Sequence, residues 1–274
     1  MIIPENIRKC VVFVGYRMTD GEMRFAGSAF FAGQHDQSTG LISNVCLVTA
    51  KHVIEGIRKL GLDRVFVRGN THQGQSQWLG SLIDRWLSHP SDATLDVSIS
   101  WIGGVPPHWD HLILPLSLCA TREVQMQHAI GLGDEVFITG LFRHHHGQSR
   151  NIPIVRTGNI AAFSEERVVT KEFGPMDAYL VEARSIGGLS GSPVFVNLGS
   201  VRYLDGQIKH SLQGPMAFLL GLVHGHYDID DSGLDTPDSA PLSHSRINTG
   251  IAIVVPAEKI IEVFEIVVPD LLPK

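Results

Sequence analysis

Short runs of β-branched and aromatic residues, each closed by turn-forming residues, recur along the whole of this 274-residue sequence. Such runs are typical of β-strands, and 28 glycines and 14 prolines supply the turns between them. The clearest runs are 10–16, 27–33, 45–49, 64–68, 135–139, 152–156, 178–182, 193–196, 216–223 and 250–256. The sequence therefore predicts an all-β chain with many strands and few long helices.

Residues 95–102 alternate polar and apolar side chains with the period of a strand. Asp96, Ser98 and Ser100 fall on one face of this predicted strand, and the apolar residues between them fall on the other. We therefore expect a half-buried strand with Asp96 at its beginning.

One helical pattern stands out, near the end of the sequence. Pro256 suits the first position of a helix, and apolar residues follow at 260, 261, 263 and 264. A terminal helix over about residues 256–267 is predicted.

Composition and charge restrict the class of protein. Hydrophobic residues make up 43% of the chain and charged residues 18%, which is typical of a compact globular protein. The net charge of −6 and the lack of a basic stripe argue against a nucleic-acid partner. The first residues do not resemble a signal peptide, and no stretch of about 18 apolar residues occurs. We expect no membrane association and a cytoplasmic location.

Three widely spaced cysteines, Cys10, Cys46 and Cys119, are the full complement of thiols. An odd number at such spacings fits neither a disulfide framework nor a paired-cysteine metal site. Buried, reduced thiols are therefore predicted, and no motif implies a cofactor.

Nucleophilic catalysis by serine requires a base, an acid that orients the base, and hydrogen-bond donors for the oxyanion. Ser190 lies among glycines at 187, 188 and 191. Glycine permits a tight backbone path, which would direct the N–H groups of Gly188 and Ser190 at one point. This loop predicts a nucleophile, Ser190, with an oxyanion hole beside it.

Two further segments supply a candidate base and a candidate acid. His52 follows an apolar strand that ends in small residues, which places the imidazole at a rim. Asp96 lies between Leu95 and Val97, where a carboxylate needs a partner such as the N–H of a neutral histidine. Asp92, four residues earlier, is the alternative acid.

These three segments resemble the sequence motifs of the trypsin-like serine peptidases. Residues 47–53, LVTAKHV, resemble the family's TAxH segment, and residues 95–99, LDVSI, resemble its D-[IV]-[AS]-L segment. Residues 188–193, GLSGSP, resemble its GxSGxP nucleophile loop. The motifs occur in the family's order, and weaker similarity extends over nearly the whole chain. The sequence is most similar to the disulfide-free bacterial and viral branch.

The resemblance implies a fold and a mechanism. The fold would be two antiparallel six-stranded β-barrels, residues 1–115 and 116–274, with a C-terminal helix and a cleft between the barrels. The chain would be a serine endopeptidase in which His52 is the base and Asp96 orients it. Ser190 would be the nucleophile, and the amides of Gly188 and Ser190 would form the oxyanion hole. Its partners would be protein or peptide substrates.

The resemblance also implies where a substrate side chain binds. It places walls of the specificity pocket at His224, Gly225, His226 and Gly250, and the base of the pocket near Arg184. A cation at the base would disfavour lysine and arginine side chains, so a preference for acidic or polar side chains is expected.

Two departures from the family pattern predict how the chain is controlled. Leu189 stands where members activated by cleavage carry an aspartate that pairs with the new N-terminal ammonium. We therefore expect activity without propeptide cleavage, with regulation by a protein partner as a further prediction. The chain also ends soon after the predicted helix, so the peptide-binding PDZ module of many bacterial relatives is not expected.

Two other functions are alternatives. An α/β-hydrolase would need a glycine two residues after the nucleophile and then a helix, whereas Ser192 and the strand-like run 193–196 follow Ser190. A catalytically silent or partner-activated domain of the same fold, which binds peptides in its cleft, is the second alternative.

Histidine clusters could also indicate a metal site. His144, His145 and His146 would point to opposite sides of an extended chain, with no Cys, Asp or Glu at ligand spacing, so a solvated loop is favoured. His224 and His226 would share one face of a strand, but their place beside the expected pocket favours substrate contact. No metal site is predicted.

Overall fold

A computed structural model describes residues 2–35, 39–183, 188–199, 201–204, 207–210, 217–230 and 246–272. Within these ranges the chain is mostly β. The strands of the first half are β1 (Val11–Arg17), β2 (Met23–His35), β3 (Ile42–Thr49), β4 (Arg64–Asn70), β5 (Ser76–Leu82), β6 (Leu87–Ser88), β7 (Ser98–Trp101) and β8 (Leu114–Pro115). Those of the second half are β9 (Glu135–Gly140), β10 (Ile154–Ala162), β11 (Val168–Thr170), β12 (Gly174–Met176), β13 (Tyr179–Glu182), β14 (Pro193–Asn197), β15 (Val201–Leu204), β16 (Gln207–His210), β17 (Ala217–Asp230) and β18 (Arg246–Pro256).

Within the described residues, three α-helices and several short 3-10 turns accompany the strands. The helices are α1 (Lys51–Lys59), α2 (Arg122–Gln127) and α3 (Ala257–Leu271). The 3-10 turns are Glu5–Cys10, Ile83–Arg85, Leu116–Leu118 and Arg143–His145. Among the described helices, none is long and apolar enough to cross a membrane.

The strands of the second half form a closed six-stranded barrel, in the order β10-β13-β18-β17-β14-β9. Every neighbouring pair in this barrel is antiparallel. The hairpins β11–β12 and β15–β16 lie outside it. The predicted C-terminal barrel is thus confirmed.

The first half forms an eight-stranded sheet, and its described pairings do not close a barrel. The order is β5-β4-β1-β2-β3-β7-β6, with β8 parallel to β2. A closed six-stranded barrel was predicted for this half, and the described pairings do not show one. One end strand, β6, has only two residues, since Pro90 follows soon after it and proline cannot donate to a ladder. The predicted boundary at 115/116 lies between this sheet and the barrel and stays a prediction.

The strand predicted over residues 95–102 is shorter and more buried than its alternation indicated. β7 begins at Ser98, and both Ser98 and Ser100 are buried along with Val97 and Ile99. Helix α3 packs against β7. The hydroxyl of Ser98 donates to the carbonyl of Leu87 at 3.2 Å, so this buried polar group has a hydrogen-bond partner.

Helix α3 begins one residue after Pro256 and extends to Leu271, four residues beyond the predicted end. It continues because Val267, Val268 and Leu271 are buried in the core that the two halves share. The helix therefore holds the short strand that follows Asp96 against the rest of the molecule.

Cys10, Cys46 and Cys119 are buried and unpaired, as predicted. Burial raises the pKa of the Cys46 and Cys119 thiols to about 12, so both are neutral at physiological pH. Their role is packing.

Replacement of Phe264 in α3 tests the packing of this helix. Phe264 is 4% exposed, and Phe264→Ala should lower the free energy of unfolding by about 3 kcal/mol through lost burial and a cavity. Ile266, on the same helix, is 40% exposed, so Ile266→Ala should cost much less. Urea unfolding of both variants gives the comparison, and equal losses would contradict this packing.

Candidate active site

His52 lies at the beginning of a helix that follows directly on a central strand. β3 ends at Thr49, and α1 starts two residues later, so His52 is in the first helical turn. Val53, Ile54 and Ile57 are buried and anchor the helix. The side chain of His52 is 23% exposed. Backbone N–H groups of a first turn lack acceptors within the helix, so the amide of His52 is available to a nearby group.

The carboxylate of Asp96 accepts that amide. β3 and β7 pair with Thr49 opposite Ser98, so the residues after β3 and before β7 lie side by side. Asp96 is 0% exposed. Its Oδ1 accepts the backbone N–H of His52 at 2.8 Å, and its Oδ2 accepts the Nδ1–H of the same residue at 2.8 Å. One carboxylate thus caps α1 and fixes the imidazole.

A second histidine contacts the same carboxylate oxygen. His224 Nδ1 donates to Asp96 Oδ2 at 2.6 Å, and the His224 side chain is 7% exposed. The rings of His52 and His224 meet edge to face, with 5.3 Å between their centroids. Phe173, from the β11–β12 hairpin, packs against the ring of His224, with 5.6 Å between the centroids. His224 was predicted as a pocket wall, but the structure places its side chain on Asp96.

These contacts set the charges at the site. Burial disfavours the ionised form of Asp96, but the charges and hydrogen bonds of His52 and His224 outweigh it and lower its pKa to about 2. Burial also disfavours the protonated form of His52, whereas Asp96 and the more distant Glu172 raise its pKa above the ordinary value. Asp96 is therefore ionised at neutral pH and can only accept hydrogen bonds.

The tautomer of His52 follows from the ionised carboxylate. Because Asp96 only accepts, the proton of a neutral His52 must sit on Nδ1. The lone pair is then on Nε2, on the other side of the ring. That is the tautomer a general base requires.

Within the described part of the chain, His52, Asp96 and His224 are also the one group of residues that could gather around a metal ion. Their N–O separations of 2.8 and 2.6 Å are those of hydrogen bonds. Two ligands of a tetrahedral zinc with bonds of about 2.0–2.1 Å lie roughly 3.3 Å apart. The geometry therefore favours shared protons over a shared metal.

The loop that carries Ser190 is hydrogen-bonded to the first half of the chain. The N–H of Ser28, on β2, donates to the Ser190 carbonyl at 2.9 Å, and its hydroxyl donates to the Gly188 carbonyl at 3.0 Å. The N–H of Gly191 donates to the Val223 carbonyl at 2.8 Å, which also ties the loop to β17. These bonds hold Ser190 beside the strands that lead to His52 and His224.

Only glycine fits at position 191. Its φ is +80°, a left-handed conformation that other residues rarely adopt. A Cβ there would collide with the carbonyl oxygen of Ser28 and the hydroxyl of Thr49. Thr49 is the last residue of β3, three before His52, so this close approach brings the nucleophile loop to the base.

The hydroxyl of Ser190 contacts His224 instead of His52. Ser190 is partly exposed, and its Oγ donates to the main-chain carbonyl of His224 at 3.2 Å. Among the hydrogen bonds of the described residues, none joins Ser190 Oγ to His52 Nε2. His224 thus contacts both ends of the predicted triad, Asp96 through its ring and Ser190 through its carbonyl.

The backbone amides of the two predicted oxyanion donors, Gly188 and Ser190, have no acceptor among the described residues. Gly188 has a φ of +106°, which again requires glycine. Residues 184–187, which precede these donors, lie outside the described ranges.

The remaining predicted residues are placed as follows. Arg184 lies outside the described residues. Gly225 and His226 are partly exposed on β17, and Gly250 is partly exposed on β18 with a φ of +81°. A Cβ at Gly225 or Gly250 would meet no atom of the described residues within 4 Å.

Two other sequence predictions concern residues away from the imidazole of His52. Asp92, the alternative acid, accepts the N–H and hydroxyl of Thr94 at 2.9 and 2.6 Å and thus stabilises a turn. His144 and His145 are exposed in a 3-10 turn, and the ring of His146 packs against Phe25 at 4.6 Å.

Substitution of Gly191 tests the close approach of the nucleophile loop. Gly191→Ala should lower the free energy of unfolding by about 3 kcal/mol, because left-handed strain adds to a backbone collision. Gly21 has a similar φ of +88° with open space around it, so Gly21→Ala should cost about 1 kcal/mol from strain alone. Chemical denaturation measures both, and similar costs would argue against the collision.

The depressed pKa of Asp96 predicts how stability changes with pH. A carboxylate with a lower pKa in the folded than in the unfolded chain stabilises the fold above its unfolded value, near 3.8, and loses that contribution as the pH falls towards 2. The stability difference between wild type and Asp96→Asn should therefore shrink over this range. Asp84→Asn, at an exposed position, is the control for unfolding measured at each pH.

Comparisons with known proteins agree on the architecture. No family model and no curated protein matches the sequence. The crystal structure of Deg5 matches with a TM-score of 0.53 and 12% identity, over 96% of this chain and 91% of that one. The HtrA-type protease AlgW with a decapeptide matches with a TM-score of 0.54 and 14% identity. That match covers 96% of this chain and 65% of AlgW, slightly under two thirds of its length. The chain therefore has the fold of the trypsin-like, HtrA-type serine proteases, and the resemblance that its motifs predicted is confirmed at the level of the fold.

Proposed function

We propose that this chain is a serine endopeptidase that cleaves peptide bonds through an acyl-enzyme on Ser190. The observation that carries the proposal is the buried, ionised Asp96, which holds His52 through Nδ1 at 2.8 Å next to the loop of Ser190. A buried carboxylate that orients an imidazole is the arrangement that prepares a general base.

In this mechanism His52 Nε2 takes the proton of Ser190 Oγ as the oxygen attacks the carbonyl carbon of the substrate. Asp96 keeps His52 in the required tautomer and stabilises the imidazolium that forms. The amides of Gly188 and Ser190 donate to the developing oxyanion. The proton then passes from His52 to the leaving amine, and water releases the acyl group by the same steps.

The barrel offers an edge on which an extended peptide can lie. β14 pairs with β17 from Asn197 opposite Ala217 to Pro193 opposite Leu222. Val223 continues this edge through backbone hydrogen bonds with Gly191 and Ser192, and beyond it the described pairings of β17 are with β18 only, on its other side. An open strand edge can accept a peptide as an additional strand, which supports protein or peptide substrates.

Specificity and location are finer proposals. A preference for acidic or polar side chains depends on Arg184 and remains a prediction, as do a cytoplasmic location and the lack of a nucleic-acid partner. Leu189 is buried in the apolar core of the barrel. An apolar side chain there supports activation without a new N-terminal ammonium.

A partner-activated or silent peptide-binding domain is the second candidate function. The observation that favours it is that Ser190 Oγ donates to the His224 carbonyl at 3.2 Å, so this hydroxyl is directed to His224 and not to His52. In free enzymes catalytic hydrogen bonds are often formed only with substrate, so this geometry suits a resting peptidase as well.

Labelling with a fluorophosphonate probe tests the proposal, because the probe phosphonylates only an activated serine hydroxyl. Wild type should give one adduct at Ser190, located by mass spectrometry, and Ser190→Ala none. His52→Ala and Asp96→Asn should slow labelling by about 10³- to 10⁴-fold, and the double variant should be no slower than the worse single one.

Other outcomes decide between the candidates. If the losses in labelling rate from His52→Ala and Asp96→Asn were additive in the double variant, the triad assignment would be contradicted. A folded wild type without any adduct would favour the silent or partner-activated domain. Ser192→Ala is the control, since its hydroxyl belongs to the same loop and is buried.

A further inference from the structure

Resting on the proposed peptidase function, we propose that His224 is a positioning residue of the active site, which shares Asp96 with His52 and thereby sets the basicity of His52. This role goes beyond that of a wall of the specificity pocket, which the sequence predicted for His224.

The first observation is how the three donors on Asp96 are divided. His52 supplies two of them, its backbone N–H to Oδ1 and its Nδ1–H to Oδ2. His224 supplies the third, Nδ1–H to Oδ2, at the shortest of the three distances, 2.6 Å. Oδ2 therefore distributes its negative charge between two imidazoles, and each receives less of it than a single donor would.

The sign of the effect on His52 follows from this division. A donor on Asp96 that does not belong to His52 weakens the attraction between the carboxylate and a proton on His52. Without the His224 donor the pull on that proton increases, and His52 is protonated up to a higher pH. Only neutral His52 can accept the Ser190 proton. The acid limb of the pH–rate profile should therefore move to higher pH when the His224 donor is lost.

The second observation is that His224 is fixed from several sides, so its donor cannot simply turn away. Its ring packs edge to face against the rings of His52 and Phe173, with centroid distances of 5.3 and 5.6 Å. The ammonium of Lys51 lies 5.8 Å from the Phe173 ring centroid. Among the described residues, the titratable and charged groups near this cluster are Asp96 and His52, Lys51 over the Phe173 ring, Glu172 beside Phe173, and His226 on the strand of His224 itself.

Two variants of similar shape separate the donor from the packing. In His224→Asn the carboxamide nitrogen is bonded to Cγ, as Nδ1 is in histidine, so a donor to Asp96 is retained. His224→Leu has a methyl group at that place and no donor. Any difference between the two variants therefore reports the hydrogen bond rather than loss of the ring.

The test is the rate of fluorophosphonate labelling of Ser190 as a function of pH, in wild type, both variants and His72→Ala. His72 is an exposed histidine, 62% exposed, outside the site. His224→Leu should label about 10- to 100-fold more slowly at its optimum, with its acid limb at higher pH. His224→Asn should keep most of the rate and the wild-type limb, and His72→Ala should match wild type. A folded Leu variant with unchanged rate and limb would overturn the proposal.

A second measurement does not depend on activity or on folding of the Leu variant. Proton NMR of wild type with ¹⁵N-labelled histidine should show two strongly deshielded Nδ1–H signals, one from each imidazole on Asp96. His224→Asn should lose one and retain the other, and Asp96→Asn should shift both. Only one such signal in wild type would overturn the proposal. Two signals without any Ser190 adduct would instead contradict the peptidase function and support the sharing of Asp96 by His52 and His224.

Discussion

The buried carboxylate of Asp96 is the constraint around which this site is built. A fully buried charge is costly unless donors surround it, and here three N–H groups from two residues do so. These bonds hold the first turn of α1, the ring of His52 and the part of β17 at His224 in one place. The pairing of β17 with β18 shifts register at His224, which is a β-bulge. The closed barrel and the sheet of the first half therefore meet at this buried charge.

Close backbone approach is the second requirement. The Ser190 loop can reach the end of β3 only because residue 191 has no side chain, and Ser28 ties that loop down through both its N–H and its hydroxyl. The nucleophile is thus positioned by hydrogen bonds from another part of the chain. Its hydroxyl rests on the His224 carbonyl, so one residue contacts the acid and the nucleophile alike.

Much of the fold was readable from the residues because strands and turns have local signals. The short runs predicted an all-β chain, and Pro256 predicted the beginning of α3 to within one residue. The burial of residues 95–102 was misjudged, since an alternation of serines and apolar residues cannot show that Ser98 and Ser100 are buried as well. The closure of the first sheet was likewise not readable, because closure depends on which strand ends pair, and two-residue strands such as β6 leave no pattern.

The sequence by itself determined which residues could form the site, since His52, Asp96 and Ser190 stand in motifs whose chemistry is local. It also determined that glycine must flank the serine. Only the tertiary structure decided that His224 turns its ring onto Asp96, because that contact joins residues 128 positions apart. A histidine carries no local mark of the carboxylate it will meet, and its partner is decided by how the two halves pack.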